Sequence, residues 1–271
     1  MPGQPSMAEA KYTAEKILWL RPWAPNLFSF RLSRPREFSF VPGQFARLGV
    51  RKPDPANPKN PAGEKIVWRA YSIASARDAD FLEFYSIVIP EGEFTSELAL
   101  LGVGGTVYVE RINYGFFTAD RFVGGKDLWM MSTGTGLAPF LSMLWEADLW
   151  AAYENLIVVH SVRYPNELAY ADEIAAYRDE PRLRAFGRKL RYVPIVTRAP
   201  AAGALSARIP ALIENGALEA YVGLALDPER ARVMVCGNPD MIAAARKVLA
   251  ARGFSTSRRG KPGQLAVENY W

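Results

Sequence analysis

Asp127-Leu-Trp-Met-Met-Ser-Thr-Gly-Thr-Gly-Leu-Ala-Pro-Phe140 contains a strand, a glycine turn and the start of a helix in one line. The apolar run Leu128–Met131 is short, which suits a buried strand better than a helix. Gly134 and Gly136 remove side chains where the chain must turn sharply. Pro139 falls where a helix begins, a position that favours proline. Leu137–Leu149 then carries apolar residues at helical spacing, which predicts one helix over that stretch. The turn would bring bare backbone N–H groups and a helix N-terminus to one point, an anion site suited to a pyrophosphate. G-x-G-x-x-P also occurs at ordinary strand–helix corners, so its meaning depends on its neighbours.

Downstream, the pattern alternates. Leu156–His160, Lys189–Thr197 and Arg232–Cys236 are predicted strands, separated by predicted helices at Glu167–Tyr177, Ile209–Asn215 and Pro239–Arg252. That alternation predicts a parallel sheet with helices on its faces. Upstream of Gly124–Gly125 the pattern is different. Leu27–Leu32 and Phe45–Val50 alternate as half-buried strands do, with Pro42–Gly43 marking a turn between them. Ile66–Ile73, Phe81–Ile89 and Thr106–Ile112 are further strands. Many short strands with almost no helix predict an antiparallel β-barrel. Arg51–Lys65 holds Pro53, Pro55, Pro58 and Pro61 and is read as a surface loop. Met1–Ala10 has no periodicity and is read as a loose tail. The predicted organisation is a tail (1–10), a β-barrel domain (11–125) and an α/β domain (126–271).

The 271 residues suit two domains and a sizeable core. A hydrophobic content of 49% with 23% charged residues is that of an ordinary globular protein. The net charge of +5 favours an acidic or phosphorylated partner, but no nucleic-acid motif is present and the arginines are dispersed. One cysteine, Cys236, excludes an internal disulfide and a cluster held by four cysteines of this chain. A single histidine, His160, argues against a histidine-rich metal site. No apolar run reaches membrane-spanning length, and the first residues lack a secretory pattern, so a cytoplasmic protein is expected.

Arg69-Ala70-Tyr71-Ser72 ends a predicted strand. The arginine can hold a phosphate bidentately, the tyrosine can stack on a flat ring, and the serine hydroxyl stands beside it. A strand end with a solvated arginine and a core tyrosine is the plain alternative. Charge favours NADP over NAD. An NAD site uses an acid after the second strand to hold the ribose, whereas Ser161-Val-Arg163 follows Asn155–His160 and no acid is expected at that turn. Arg163 would attract a 2′-phosphate; Arg198 ends the next strand and Arg208 follows shortly after, although any one of these arginines could be ordinary surface charge.

Four motifs now stand in order: Arg-x-Tyr-Ser in a β-domain, Gly134–Pro139 opening an α/β domain, Cys236-Gly-Asn-Pro-Asp-Met241, and an aromatic end Val267-Glu-Asn-Tyr-Trp271. In this the chain resembles the ferredoxin/flavodoxin–NADP⁺ reductase family from about Lys11 onward, most of all the bacterial type ending Tyr-Trp. The resemblance implies a flavoenzyme that exchanges electrons between NADP(H) and ferredoxin or flavodoxin, through hydride transfer to FAD N5. It implies FAD contacts from Arg69, Ala70, Tyr71, Ser72, Tyr85, the phosphate loop Glu93-Phe94-Thr95, Thr135, Tyr270 and Trp271. It implies NADP contacts from Gly134, Gly136, Arg163, Thr197, Arg198 and Arg208. Ser72, Cys236 and Glu268 would line the nicotinamide pocket, Tyr270 would cover one flavin face and move aside for the nicotinamide, and Trp271 would lie against the adenine. A monomer is expected. Arg258-Arg-Gly-Lys-Pro262 could meet an acidic partner, pair with a cofactor phosphate or be a solvated turn. The competing readings are a flavin electron-transfer subunit of a larger oxygenase or dehydrogenase, and a nucleotide-binding sensor without catalysis. Such subunits commonly carry an iron–sulfur centre, which one cysteine cannot supply.

Overall fold

A computed structural model of the chain describes residues 11–57, 63–258 and 260–269. The chain divides into two compact units, Met1–Gly115 and Phe116–Trp271. The compositional change at Gly124–Gly125 lies inside the second unit rather than at its start. The preceding residues pack there: Phe117 meets Phe140 with ring centroids 5.7 Å apart, and the Arg232 guanidinium donates to the Val123 carbonyl at 2.8 Å.

The first unit is a six-stranded antiparallel sheet: β1 (Tyr12–Ala24), β2 (Leu27–Ser33), β3 (Phe45–Pro53), β4 (Glu64–Ser72), β5 (Phe81–Ile87) and β6 (Thr106–Tyr114), in spatial order β4-β3-β6-β1-β2-β5. β1 was not anticipated. It pairs with β6 through Tyr12–Lys16 and with β2 through Ile17–Ala24, passing from one neighbour to the other at a register shift after Ile17. The edges meet where Ile73, just past β4, bridges to Phe84 on β5, closing the sheet into a barrel. Alternate residues point inward to a core of Phe30, Leu32, Leu48, Leu82, Phe84, Val107 and Val109. The Arg51–Lys65 stretch departs from the loop expected of it. Its ends are strand, with Arg51, Lys52 and Pro53 paired to Ile66, Lys65 and Glu64. Pro53 stands at the last pair of this hairpin, beyond the Phe45–Gly49 part of β3 that also pairs with β6, where a missing N–H interrupts little of the sheet. A short helix, α1 (Thr95–Leu100), also went unanticipated.

The second unit is a five-stranded parallel sheet: β7 (Asp127–Thr133), β8 (Asn155–Val162), β9 (Leu190–Val196), β10 (Ala231–Gly237) and β11 (Leu265–Asn269), ordered β11-β10-β7-β8-β9. β11 begins at Leu265 and runs into the stretch Val267–Trp271 read as an aromatic end, and it pairs parallel to β10. The stretch expected to form one helix over Leu137–Leu149 is three pieces: a tight turn Gly134–Leu137, α2 (Ala138–Leu144) and α3 (Ala147–Ala152). The backbone turns extended at Glu146, which ends α2, and Trp150 satisfies the Leu144 carbonyl with its indole N–H at 2.8 Å. Every residue of α2 is buried, so its apolar spacing carried no face information. The helix expected at Glu167–Tyr177 shrinks to α4 (Ala171–Ala176), because Tyr170 is left-handed at φ 62° and breaks it. The remaining helices are α5 (Ile209–Glu214), α6 (Ala217–Val222), which was not anticipated, and α7 (Pro239–Ala251). Trp129, Met131, Ile157, Val159, Val233 and Val235 pack on the α5–α7 side, which leaves the even-numbered residues of β7, β8 and β10 on the opposite face. Among the described residues no helix is long and apolar enough to cross a membrane.

Candidate active site

The strand order of the second unit locates its site. From β7 the chain proceeds outward to β8 and β9, then returns to lay β10 on the other side of β7. Ligands of open α/β sheets bind at the carboxyl ends of the strands flanking such a reversal. Here those ends are Thr133–Gly134 and Cys236–Gly237. One register row crosses the sheet there: Glu268, Cys236, Ser132, His160 and Pro194 are successive partners on β11, β10, β7, β8 and β9. Ser132, Cys236 and His160 are fully buried, and Glu268 is half-buried.

The two glycines of the turn serve different ends. Gly134 has φ +53°, and a Cβ placed on it would meet nothing within 4 Å, so its backbone lies bare. Gly136 was expected to serve the ligand too. Its reason is packing: a Cβ there would lie 2.5 Å from the Cys236 carbonyl oxygen. Gly237, at φ +133°, is equally confined, since its Cβ would fall 2.2 Å from Thr133 Oγ1. That hydroxyl accepts the Asn238 N–H at 2.9 Å, tying the turn after β10 to the end of β7. Thr135 is buried within the turn.

Burial pushes the Cys236 thiol well above its ordinary pKa, and the Glu268 carboxylate adds to the effect. Cys236 is therefore a neutral thiol rather than a nucleophile. Burial lowers the His160 imidazole to about 4, against smaller opposing effects from the Gly134 backbone and Glu167. It is neutral at physiological pH and meets the Tyr192 hydroxyl at 3.2 Å.

Arg163 and Arg198 follow the ends of β8 and β9, whereas Arg208, read from the sequence with them, stands at the start of α5. Arg198 N–H donates to the Arg163 carbonyl at 2.9 Å, placing those two backbones side by side. Thr197 donates its hydroxyl to the Val162 carbonyl at 3.0 Å. Arg208 caps α5. The Arg198 and Arg208 side chains are exposed and have no acid partner among the described residues. Arg163 does have one. The expectation that no acid stands at this turn is corrected: Glu167, four residues on, folds back and accepts from Arg163 Nε at 3.0 Å and Nη2 at 2.5 Å.

In the first unit, Arg69 and Tyr71 share one face of β4, with Ala70 and Ser72 on the other. Arg69 is exposed, and its Nη1 donates to the Trp68 carbonyl at 2.8 Å. The Tyr71 ring lies 5.3 Å from Phe94, and its hydroxyl is 2.9 Å from Ser86 Oγ. Burial pushes that hydroxyl up to about 12, with the Ser86 bond and the Arg69 charge opposing. Phe94 is buried, and Thr95 Oγ1 accepts the Ile89 N–H at 3.0 Å, so both side chains hold the loop's shape. Glu93 is exposed and pairs with Lys65 at 3.4 Å and Lys52 at 3.7 Å. Lys65, then Lys52 and Arg69, hold its carboxyl below the ordinary range. Arg69, Tyr71 and Glu93–Thr95 thus converge. Tyr85 does not join them: it is buried on the face of β5 opposite Phe84 and Ser86. Tyr270 and Trp271 lie outside the described residues.

The chain is 39% identical over 262 residues to a ferredoxin–NADP reductase A of Sorangium cellulosum, covering 95% of this chain and 89% of that relative. This chain belongs to the ferredoxin/flavodoxin–NADP reductase family. A flavodoxin/ferredoxin–NADP reductase of Escherichia coli is 35% identical over 263 residues, covering 97% of this chain and 100% of that relative. The model of the oxidoreductase NAD-binding domain matches residues 130–247. A crystal structure of a ferredoxin NADP+ reductase from Neisseria gonorrhoeae with bound FAD and NADP superposes with a TM-score of 0.87 at 37% identity, covering 97% of this chain and 100% of that one. For a reductase of this family, the sequence left several site groups unread. Ser132 stands in the register row, Lys52 and Lys65 surround Glu93, and Glu167 braces Arg163. A signal for Glu167 existed, since Arg163 and Glu167 stand at (i, i+4) spacing; a signal for the two lysines did not, because they meet Glu93 only through the β3–β4 hairpin.

Proposed function

We propose that this chain exchanges electrons between NADP(H) and ferredoxin or flavodoxin, with FAD as its prosthetic group. The observation that carries the reading is the two exposed arginines that follow β9, Arg198 and Arg208, unmatched by acids among the described residues, on the same sheet whose β7–β10 reversal offers the bare Gly134 turn. An acid-free arginine pair suits a 2′-phosphate, and an open glycine turn suits a pyrophosphate. For FAD, the exposed Arg69 with Lys52 and Lys65 matches a pyrophosphate in charge. Tyr71 has the half-buried ring and anchored hydroxyl that hold a flat surface steady.

In this reading Arg69 and the Glu93–Thr95 loop hold the FAD phosphates, and Tyr71 and Ser72 hold its ring. Tyr85, Tyr270 and Trp271 remain as proposed FAD contacts, Tyr270 over one flavin face, from which it would move aside for the nicotinamide, and Trp271 against the adenine. When bound, FAD supplies the redox chemistry, taking a hydride from NADPH at N5 and giving up electrons singly. The chain's residues orient and shield. Gly134, Thr197, Arg198, Arg208 and Arg163 position the nucleotide. Cys236, kept neutral, and Glu268 shape the polarity of the row where the nicotinamide would sit.

The test is an anaerobic titration of the purified protein followed by visible absorbance. A yellow protein bleached by NADPH at concentrations at least tenfold below those needed with NADH is expected. A colourless protein, or equal response to both nucleotides, would sink the reading.

A further inference from the structure

We infer that Glu167 is a positioning residue that sets NADP(H) over NAD(H) selectivity by holding Arg163 in one orientation; this rests on the reading above that Arg163 meets the 2′-phosphate. An acid after the second strand of such a sheet ordinarily takes the ribose diol of NAD. Glu167 stands close to that place and is buried to 9% exposure. Its oxygens are already taken. Oε1 accepts from Arg163 Nε and Nη2 at 3.0 and 2.5 Å, and Oε2 accepts from the backbone N–H groups of Arg163 and Tyr164 at 2.9 and 3.3 Å. A carboxylate saturated in this way has little capacity left for a ribose.

The same contacts define what Arg163 can offer. A guanidinium has five N–H donors in a rigid plane. Glu167 occupies the Nε–H and one Nη2 donor, which leaves the Nη1 pair and the second Nη2 donor. The guanidinium is held by a two-point contact through Nε and Nη2, and the brace is anchored in turn by backbone donors. Burial works to raise the Glu167 carboxyl, yet Arg163 and the two backbone groups outweigh it and hold it below the ordinary range, so the brace stays charged at working pH. The Arg163 carbonyl also receives the Arg198 N–H, so the brace fixes the backbone from which the second arginine projects.

The test uses the FAD-loaded protein and calorimetric binding of NADP⁺, NAD⁺ and 2′,5′-ADP to Arg163→Ala, Glu167→Gln, Glu167→Asp and the Arg163→Ala/Glu167→Gln double variant. Losing a charge-assisted contact should weaken NADP⁺ and 2′,5′-ADP roughly tenfold in Glu167→Gln, with NAD⁺ unchanged within about twofold. In turnover, KM for NADPH should rise while kcat holds. Glu167→Asp should recover part of the loss, and Glu167→Gln should add nothing once Arg163 is alanine. If Glu167→Gln does not fold, the loss in Glu167→Asp carries the same test. Unchanged selectivity in the Glu167 variants alongside lost selectivity in Arg163→Ala would overturn the inference and leave the reading of Arg163 standing. Tighter NADP⁺ binding in Glu167→Gln would overturn it too, by making Glu167 a competitor. Unchanged selectivity in Arg163→Ala would overturn both.

Discussion

In the first unit the basic side chains of the candidate site, Arg69, Lys52 and Lys65, stand at open strand positions around one exposed acid, Glu93. In the second unit Arg198 and Arg208 have no acid beside them among the described residues, and Arg163 is locked to a buried one. Exposed pairs between long side chains are weak and rearrange cheaply. A buried carboxylate bonded to four N–H groups does not rearrange. The first arrangement suits a ligand that stays and can be wrapped; the second suits one that must be recognised repeatedly and released. The glycines repeat the contrast. Gly104 in the first unit has φ +87° with open space around it, while Gly237 in the second has φ +133° against Thr133.

The largest effect should come from that last difference. Gly237→Ala must displace Thr133 and strain its own backbone, for an expected loss of about 4 kcal/mol in urea unfolding. Gly104→Ala should lose only about 1 kcal/mol, from backbone strain alone. Similar losses at the two positions would show that crowding at the β7–β10 crossing is not what holds the turn.

A smaller effect is expected from pH. The His160 imidazole has an ordinary pKa of 6.5 and a folded value of about 4. The unfolded chain therefore takes up the proton first. The associated stabilisation is fully present above pH 6.5 and drains as pH falls from 6.5 through 4, to a total on the order of 3 kcal/mol. Unfolding midpoints of the wild type and His160→Gln, measured across that window, should converge toward acid. Parallel profiles would mean the buried histidine does not carry the dependence. The first unit has no histidine, so its unfolding should lack this step.

The smallest effect belongs to Tyr71. Tyr71→Phe loses a 2.9 Å hydroxyl contact with Ser86 and keeps the ring against Phe94, for about 1 kcal/mol in thermal or urea unfolding. A loss of several kcal/mol would mean that the hydroxyl rather than the ring organises this end of the barrel.

Much of this was legible along the chain. The strands of the second unit showed as apolar runs because a parallel sheet is buried on both faces, and the barrel strands showed as alternation because one face is wet. The glycine turn was readable because backbone geometry at Gly134 is local. The long helix after it was misread because α2 is buried all round, so apolar spacing could not reveal the break at Glu146. β11 was missed because a fifth strand at a sheet edge is defined by its partner, β10, and not by its own pattern. Hydrophobic patterning determined a two-part β-barrel and α/β chain, and motif order its resemblance to a known reductase family, with Arg69, Tyr71, Cys236 and the three arginines as its candidates. Only tertiary structure decided that Gly136 packs against Cys236, that Ser132, Cys236 and Glu268 share one row, and that Arg163 is braced by Glu167 while Arg198 and Arg208 have no such acid among the described residues. The physical reason is range: turns and periodicities follow from neighbouring residues, whereas pairing of charges and strand register follow from which distant segments the fold brings within a few ångströms.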